Sequence, residues 1–72
     1  MVRINKQHIN RFKYFGRAYN YNLSPGLWLS FDKDTLEYIG VECFYLADIN
    51  KLEVAAENKI NELLSKDLLE LL

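Results

Sequence analysis

The chain has one cysteine, Cys43, and one histidine, His8. A single thiol forms no intramolecular disulfide, which excludes a secreted, disulfide-stapled miniprotein and makes a reducing cytoplasm the expected setting. Two Cys and His side chains fall short of the three or four that a structural zinc site requires, so neither a metal nor another cofactor is expected. A nucleophile needs a base within hydrogen-bond reach, and no familiar spacing surrounds either residue. Enzymatic activity is therefore not expected, and Cys43 reads as a small hydrophobe on a strand. One proline and three scattered glycines, Gly16, Gly26 and Gly40, supply neither a phosphate-binding loop nor an interdomain linker. Residues 1–72 read as one domain. No apolar run approaches the roughly 18 to 20 residues of a membrane span, and the first twenty residues are polar and basic rather than signal-like. No membrane partner is expected. Asp32 and Asp34 of FDKDT lack the glycine of a calcium loop, and the position that should close one with an acid is Cys43. They read as hairpin-turn residues.

Large rings are plentiful by contrast. Five Tyr, four Phe and one Trp among 72 residues can found a small core, which argues against disorder. The net charge of −1 conceals a division. Residues 1–17 carry five cations and no acid, whereas the remaining 55 carry four lysines against ten acids. Such a split implies two electrostatically different faces, or two regions that attract each other within one fold or across a dimer.

The middle of the chain reads most clearly. After the SPG turn at 24–26, LWLSF (27–31) alternates Leu27, Leu29 and Phe31 against Trp28 and Ser30, DKDT supplies a turn, and LEYIGVECFYL (36–46) resumes as a strand. In that second strand Ile39, Val41, Cys43 and Tyr45 share the parity expected to face the core. A helix follows, with Asp48 or Asn50 as N-cap, and Asn50 with Glu53 resembling a capping box. Ile49, Leu52, Ala56, Ile60, Leu63 and Leu64 fall within an arc of about 120° suited to packing on a sheet. Beyond Ser65 the pattern breaks: Asp67 and Glu70 project inward while Leu68, Leu69 and Leu72 point away. Either the helix ends near Ser65, or those leucines cover a second partner.

The N-terminal third supports two readings. Ile4, His8, Phe12, Phe15 and Tyr19 share one side of a helical wheel, yet YNYNL (19–23) alternates as a strand. The preferred reading is a strand from about Phe12 to Leu23, interrupted by a bulge at Gly16 and preceded by a short helical or irregular arm. The predicted fold is thus α+β, a three-stranded antiparallel β-meander with a long C-terminal α-helix packed on one face. The alternative is an N-terminal helix, a β-hairpin and a C-terminal helix.

Two segments carry functional expectations. KYFGRAYNYN (13–22) combines four aromatics with two basic residues and no acid, a composition that fits single-stranded nucleic acid if rings and cations share a face. It fits a protein contact as well, since aromatic residues and Arg are enriched at interaction hot spots. Which applies depends on whether Tyr19 and Tyr21 point inward. LLELL at the C-terminus reads as an apolar docking element. At LSFDKDTLEYIGVEC (29–43), Asp32, Gly40, Val41 and Glu42 match an acidic turn followed by a V-G-I-E-I-like strand. In this the chain resembles the hairpin of a family of small bacterial and phage proteins, which implies a small α+β protein and no particular chemistry. The expected function is a non-enzymatic interaction module or regulator, a homodimer or the ligand of a larger protein, a description that fits a phage-type inhibitor or accessory protein. Arg11, Lys13, Arg17, Tyr19 and Tyr21 would form a charged, aromatic contact, and Leu68, Leu69 and Leu72 an apolar one. The alternative is an RNA or single-stranded DNA binder acting through the basic N-terminal third.

Overall fold

In a computed structural model describing residues 1–72, Val2–Ile4 forms β1, Lys13–Phe15 β2, Ala18–Ser24 β3, Leu27–Asp32 β4, Tyr38–Cys43 β5, Ile49–Ser65 α1 and Leu69–Leu71 β6. A 3₁₀ segment, Lys6–Arg11, joins β1 to β2. The fold is α+β with the long helix packed on a sheet, but the predicted three-stranded meander is corrected. Six strands form two sheets: an antiparallel β2-β3-β4-β5 sheet and a β1-β6 ribbon.

The first correction arises at Gly16 and Arg17. Both adopt left-handed backbone, with φ of 59° and 62°, the signature of a two-residue type I′ hairpin turn. The expected single strand therefore reverses direction, and the irregularity placed at Gly16 is a turn rather than a bulge. Asn20, only 2% exposed, reinforces it by donating its Nδ2 to the carbonyls of Phe15 (3.2 Å) and Ala18 (3.1 Å). Tyr19 and Tyr21 then stand opposite Phe31 and Leu29 of β4 and pack against the core.

The second correction lies at the other end. Lys66 caps α1, Asp67 enters the left-handed region at φ 61°, the Asp67 amide donates to Leu64 at 3.1 Å, and the Leu68 amide donates to Leu63 at 3.0 Å. This Schellman arrangement stops the helix and turns Leu68 back onto Leu63. β6 then pairs with β1, setting Leu69 opposite Ile4 and Glu70 opposite Arg3. Asn5 secures the junction: its amide donates to the Leu68 carbonyl (3.0 Å) and its Nδ2 to the Asp67 carbonyl (2.9 Å). An aspartate is poorly suited to this place, because a Cβ disfavours left-handed backbone and a negative charge opposes the negative end of the helix dipole. Asp67→Gly is expected to stabilise the protein by about 1 kcal/mol, read as a raised urea midpoint with an unchanged slope.

Phe31 is the centre of the core. Its ring meets Phe12 edge to face at 5.3 Å and Tyr38 at 5.6 Å, and Phe12 in turn meets Tyr21 at 5.5 Å. Tyr38 reaches this side because the β4–β5 register shifts between Ser30 and Phe31. Val41 and Cys43 stand opposite Leu29 and Leu27 as their parity predicts, but the bulge turns Ile39 out into solvent. Asp32 Oδ1 accepts the Asp34 and Thr35 amides at 2.7 and 2.8 Å, and these bonds, Thr35's first, hold its carboxyl below the usual range. The turn ends at Leu36, left-handed at φ 66°. Leu36 is buried in the core, and its carbonyl accepts the Ile4 amide at 2.9 Å.

Candidate interaction surface

The basic residues of the N-terminal third are displayed, but the tyrosines expected beside them are not. Arg11, Lys13 and Arg17 are exposed and form no ion pair; among the five cations of residues 1–17, Arg3 alone does so, with Glu70 at 2.8 Å. Tyr19 and Tyr21 are half-buried on the helix side of the sheet. The outer side carries a different set. Lys13 and Phe15 lie there, opposite Asn20 and Ala18, and the Phe15 ring meets Trp28 edge to face at 5.0 Å. Trp28 was legible as an outward candidate through the alternation of LWLSF, which sets it against Leu27, Leu29 and Phe31; Phe15 was not, because the Gly16–Arg17 turn puts it on a separate strand.

The C-terminal leucines divide. Leu68 and Leu69 belong to the core cluster, which corrects their expected role as a docking face: ending the helix at Ser65 lets them fill the space beneath β1 instead. Leu72 remains 55% exposed.

A larger apolar surface occupies the β5–α1 connection. Phe44 is 67% exposed, Leu46 fully exposed, and Tyr45 and Ile49 are also exposed. The connection is anchored at its start, where the Phe44 amide donates to the Gly26 carbonyl at 2.9 Å and Cys43 Sγ donates to the Tyr45 carbonyl at 3.1 Å. The Tyr45 ring lies so close to Gly26 that a Cβ there would sit 3.0 Å from it. At its end Asp48 caps α1, accepting the Asn50 amide at 2.9 Å. Ile49, placed in the core arc by helical spacing, instead borders a groove of about 370 Å³ between β5 and α1, lined also by Tyr38, Gly40, Val41, Ala56 and Ile60. Its only charged residues are Glu53 and Glu57. Burial, and secondarily the Glu53 carboxylate, raises the Tyr38 hydroxyl above its usual pKa.

No family model, curated protein or solved structure matches the chain. A second cleft, about 580 Å³ between β1 and the DKDT turn, mixes Arg3 and Lys6 with Asp34, Glu37 and Glu70, and the Arg3–Glu70 pair satisfies part of that charge internally. The β5–α1 surface differs in joining exposed apolar side chains to charge of a single sign. No helix of the chain is long and apolar enough to cross a membrane.

Proposed function

We propose that the protein is a non-enzymatic interaction module that binds another protein through the β5–α1 surface. The observation that carries this reading is the run Phe44, Tyr45, Leu46 and Ile49, four large apolar side chains exposed within one short connection, the last of them lining an acid-bordered groove. Isolated apolar residues on a surface need no explanation, but a contiguous set marks a contact site. Electrostatics favours a protein over nucleic acid at this place, because Glu53, Glu57 and Asp48 would repel phosphate.

A nucleic-acid reading draws on Phe15 and Trp28 beside Lys13 on the outer sheet face. One experiment separates the two. Tagged protein is used for affinity capture from the native cell, with half of each sample treated with nuclease, and compared with a Phe44→Ser/Leu46→Ser variant and an Arg11→Ser/Lys13→Ser/Arg17→Ser variant. A partner that survives nuclease, is lost with the apolar variant and is retained by the basic variant is the expected result. Material that disappears with nuclease and with the basic variant would replace the protein reading by the nucleic-acid one.

A further inference from the structure

We propose that the open edge of β5 takes up an extended segment of a partner protein, bearing both apolar residues and lysine or arginine at its groove-facing positions, as a fifth strand of the sheet. This rests on the protein-contact reading and specifies how that contact is made.

The backbone supplies the first argument. β5 pairs with β4 on one side only, and β1 reaches its other side at a single bridge, Arg3 to Glu37. The edge from Gly40 to Cys43 is left open. The direction of its polar groups follows from the register. The Phe44 amide bonds to Gly26, so with Trp28 opposite Glu42 and Ser30 opposite Gly40, antiparallel alternation directs the amides and carbonyls of Glu42 and Gly40 towards β4. Those of Val41 and Cys43 therefore point away from the sheet, the arrangement that an added strand requires.

The side chains supply the second. Beside this edge the groove presents Val41, Ala56, Ile49 and Ile60 together with Glu53 and Glu57, so alternate side chains of an added strand would enter it, apolar ones against the first set and basic ones against the second, while those between them face away. Charge decides what kind of segment fits. Glu53 and Glu57 stand one helical turn apart on α1, line the groove, and neither forms an ion pair within the chain, whose four pairs use Glu70, Asp34 and Glu62. No cation lines the groove to balance them. An acidic segment would be repelled, and a basic one steered in. A second copy of this chain offers a basic edge in β2, and alternating strand directions would permit it, but β2 is three residues long and carries Lys13, features that blunt an edge against pairing.

The test uses two fluorescein-labelled nonapeptides in which serine occupies every other position, the positions between carrying valine and lysine in one peptide and valine and glutamate in the other. The whole protein is titrated with each by anisotropy and by amide hydrogen exchange. The lysine peptide is expected to bind at least about tenfold more tightly. Glu53→Lys/Glu57→Lys, which changes two exposed positions, is expected to reverse the preference. Bound lysine peptide should slow exchange at Val41 and Cys43 while Gly40 and Glu42 keep their protection, and N-methylation of the valine and lysine amides, those directed at β5, should abolish binding. Equal affinities for the two peptides would overturn the proposal, as would binding that persists after N-methylation or leaves Val41 and Cys43 unprotected. Self-association by light scattering that disappears in the charge-reversed protein would also overturn it, by assigning the edge to a second copy. Partner capture that still depends on Phe44 and Leu46 would in any of these cases leave the broader interaction reading standing.

Discussion

Leu69→Ala is expected to lower stability by about 2 to 5 kcal/mol, enough to leave a substantial unfolded population at room temperature. A domain of this length has only about 4 to 10 kcal/mol in total at the usual per-residue range. Leu69 is 2% exposed, stands opposite Ile4 in the β1–β6 ribbon and joins the main core cluster. Its truncation leaves a cavity at the junction where both chain ends close over the core. Leu72→Ser is the control, since Leu72 is largely solvent-exposed and its backbone amide, bonded to the Met1 carbonyl at 3.0 Å, survives the change. It should shift stability by less than about 0.5 kcal/mol. Urea denaturation followed by Trp28 fluorescence measures both. A Leu69→Ala midpoint equal to that of the unaltered protein would mean that these leucines lie on the surface, as helical extension of α1 would have them.

Phe31→Ala is expected to be as damaging, at about 3 to 5 kcal/mol. The Phe31 side chain is wholly buried and couples β4 to two other parts of the chain through edge-to-face contacts with Phe12 and Tyr38, each worth about 0.5 to 1.5 kcal/mol beyond burial. Removing the ring separates the 3₁₀ segment's end from the sheet as well as opening a cavity. The comparison is Ile39→Ala, eight residues away on the adjacent strand. Sequence parity places Ile39 in the core, yet the β4–β5 bulge turns it outward, so the change should cost less than about 0.5 kcal/mol. If Ile39→Ala proved the more destabilising of the two, the register of β5 described above would be wrong.

These pairs show where the sequence was legible. The β4–β5 hairpin could be read because Leu27, Leu29 and Phe31 alternate strictly and an Asx-type turn follows. The helix could be read because Leu52, Ala56, Ile60 and Leu63 repeat at helical spacing without an interrupting Gly or Pro. Register within the hairpin could not, because a one-residue bulge leaves no mark on a strand of Tyr, Ile, Gly and Val, all of which suit a sheet. The Gly16–Arg17 turn escaped notice for a related reason: type I′ turns announce themselves through Asn-Gly or Asp-Gly, and here an arginine holds the second left-handed position. The candidate site was the least legible part. Tyr45 and Ile49 read as the continuation of strand and helix cores and Phe44 as an outward position of the same strand, and only the course of the β5–α1 connection exposes them with Leu46.

Local pattern by itself determined that this chain is α+β, with a central hairpin and one long C-terminal helix, because each of those elements repeats its apolar residues over many consecutive positions. The tertiary structure alone decided the fate of both ends. β1 and β6 are three residues each, too short to carry a periodic signal, and their stabilisation comes from partners as far apart as Arg3 and Glu70, separated by 67 positions. That closure required α1 to stop at Ser65, which moved Leu68 and Leu69 from a supposed binding face into the core.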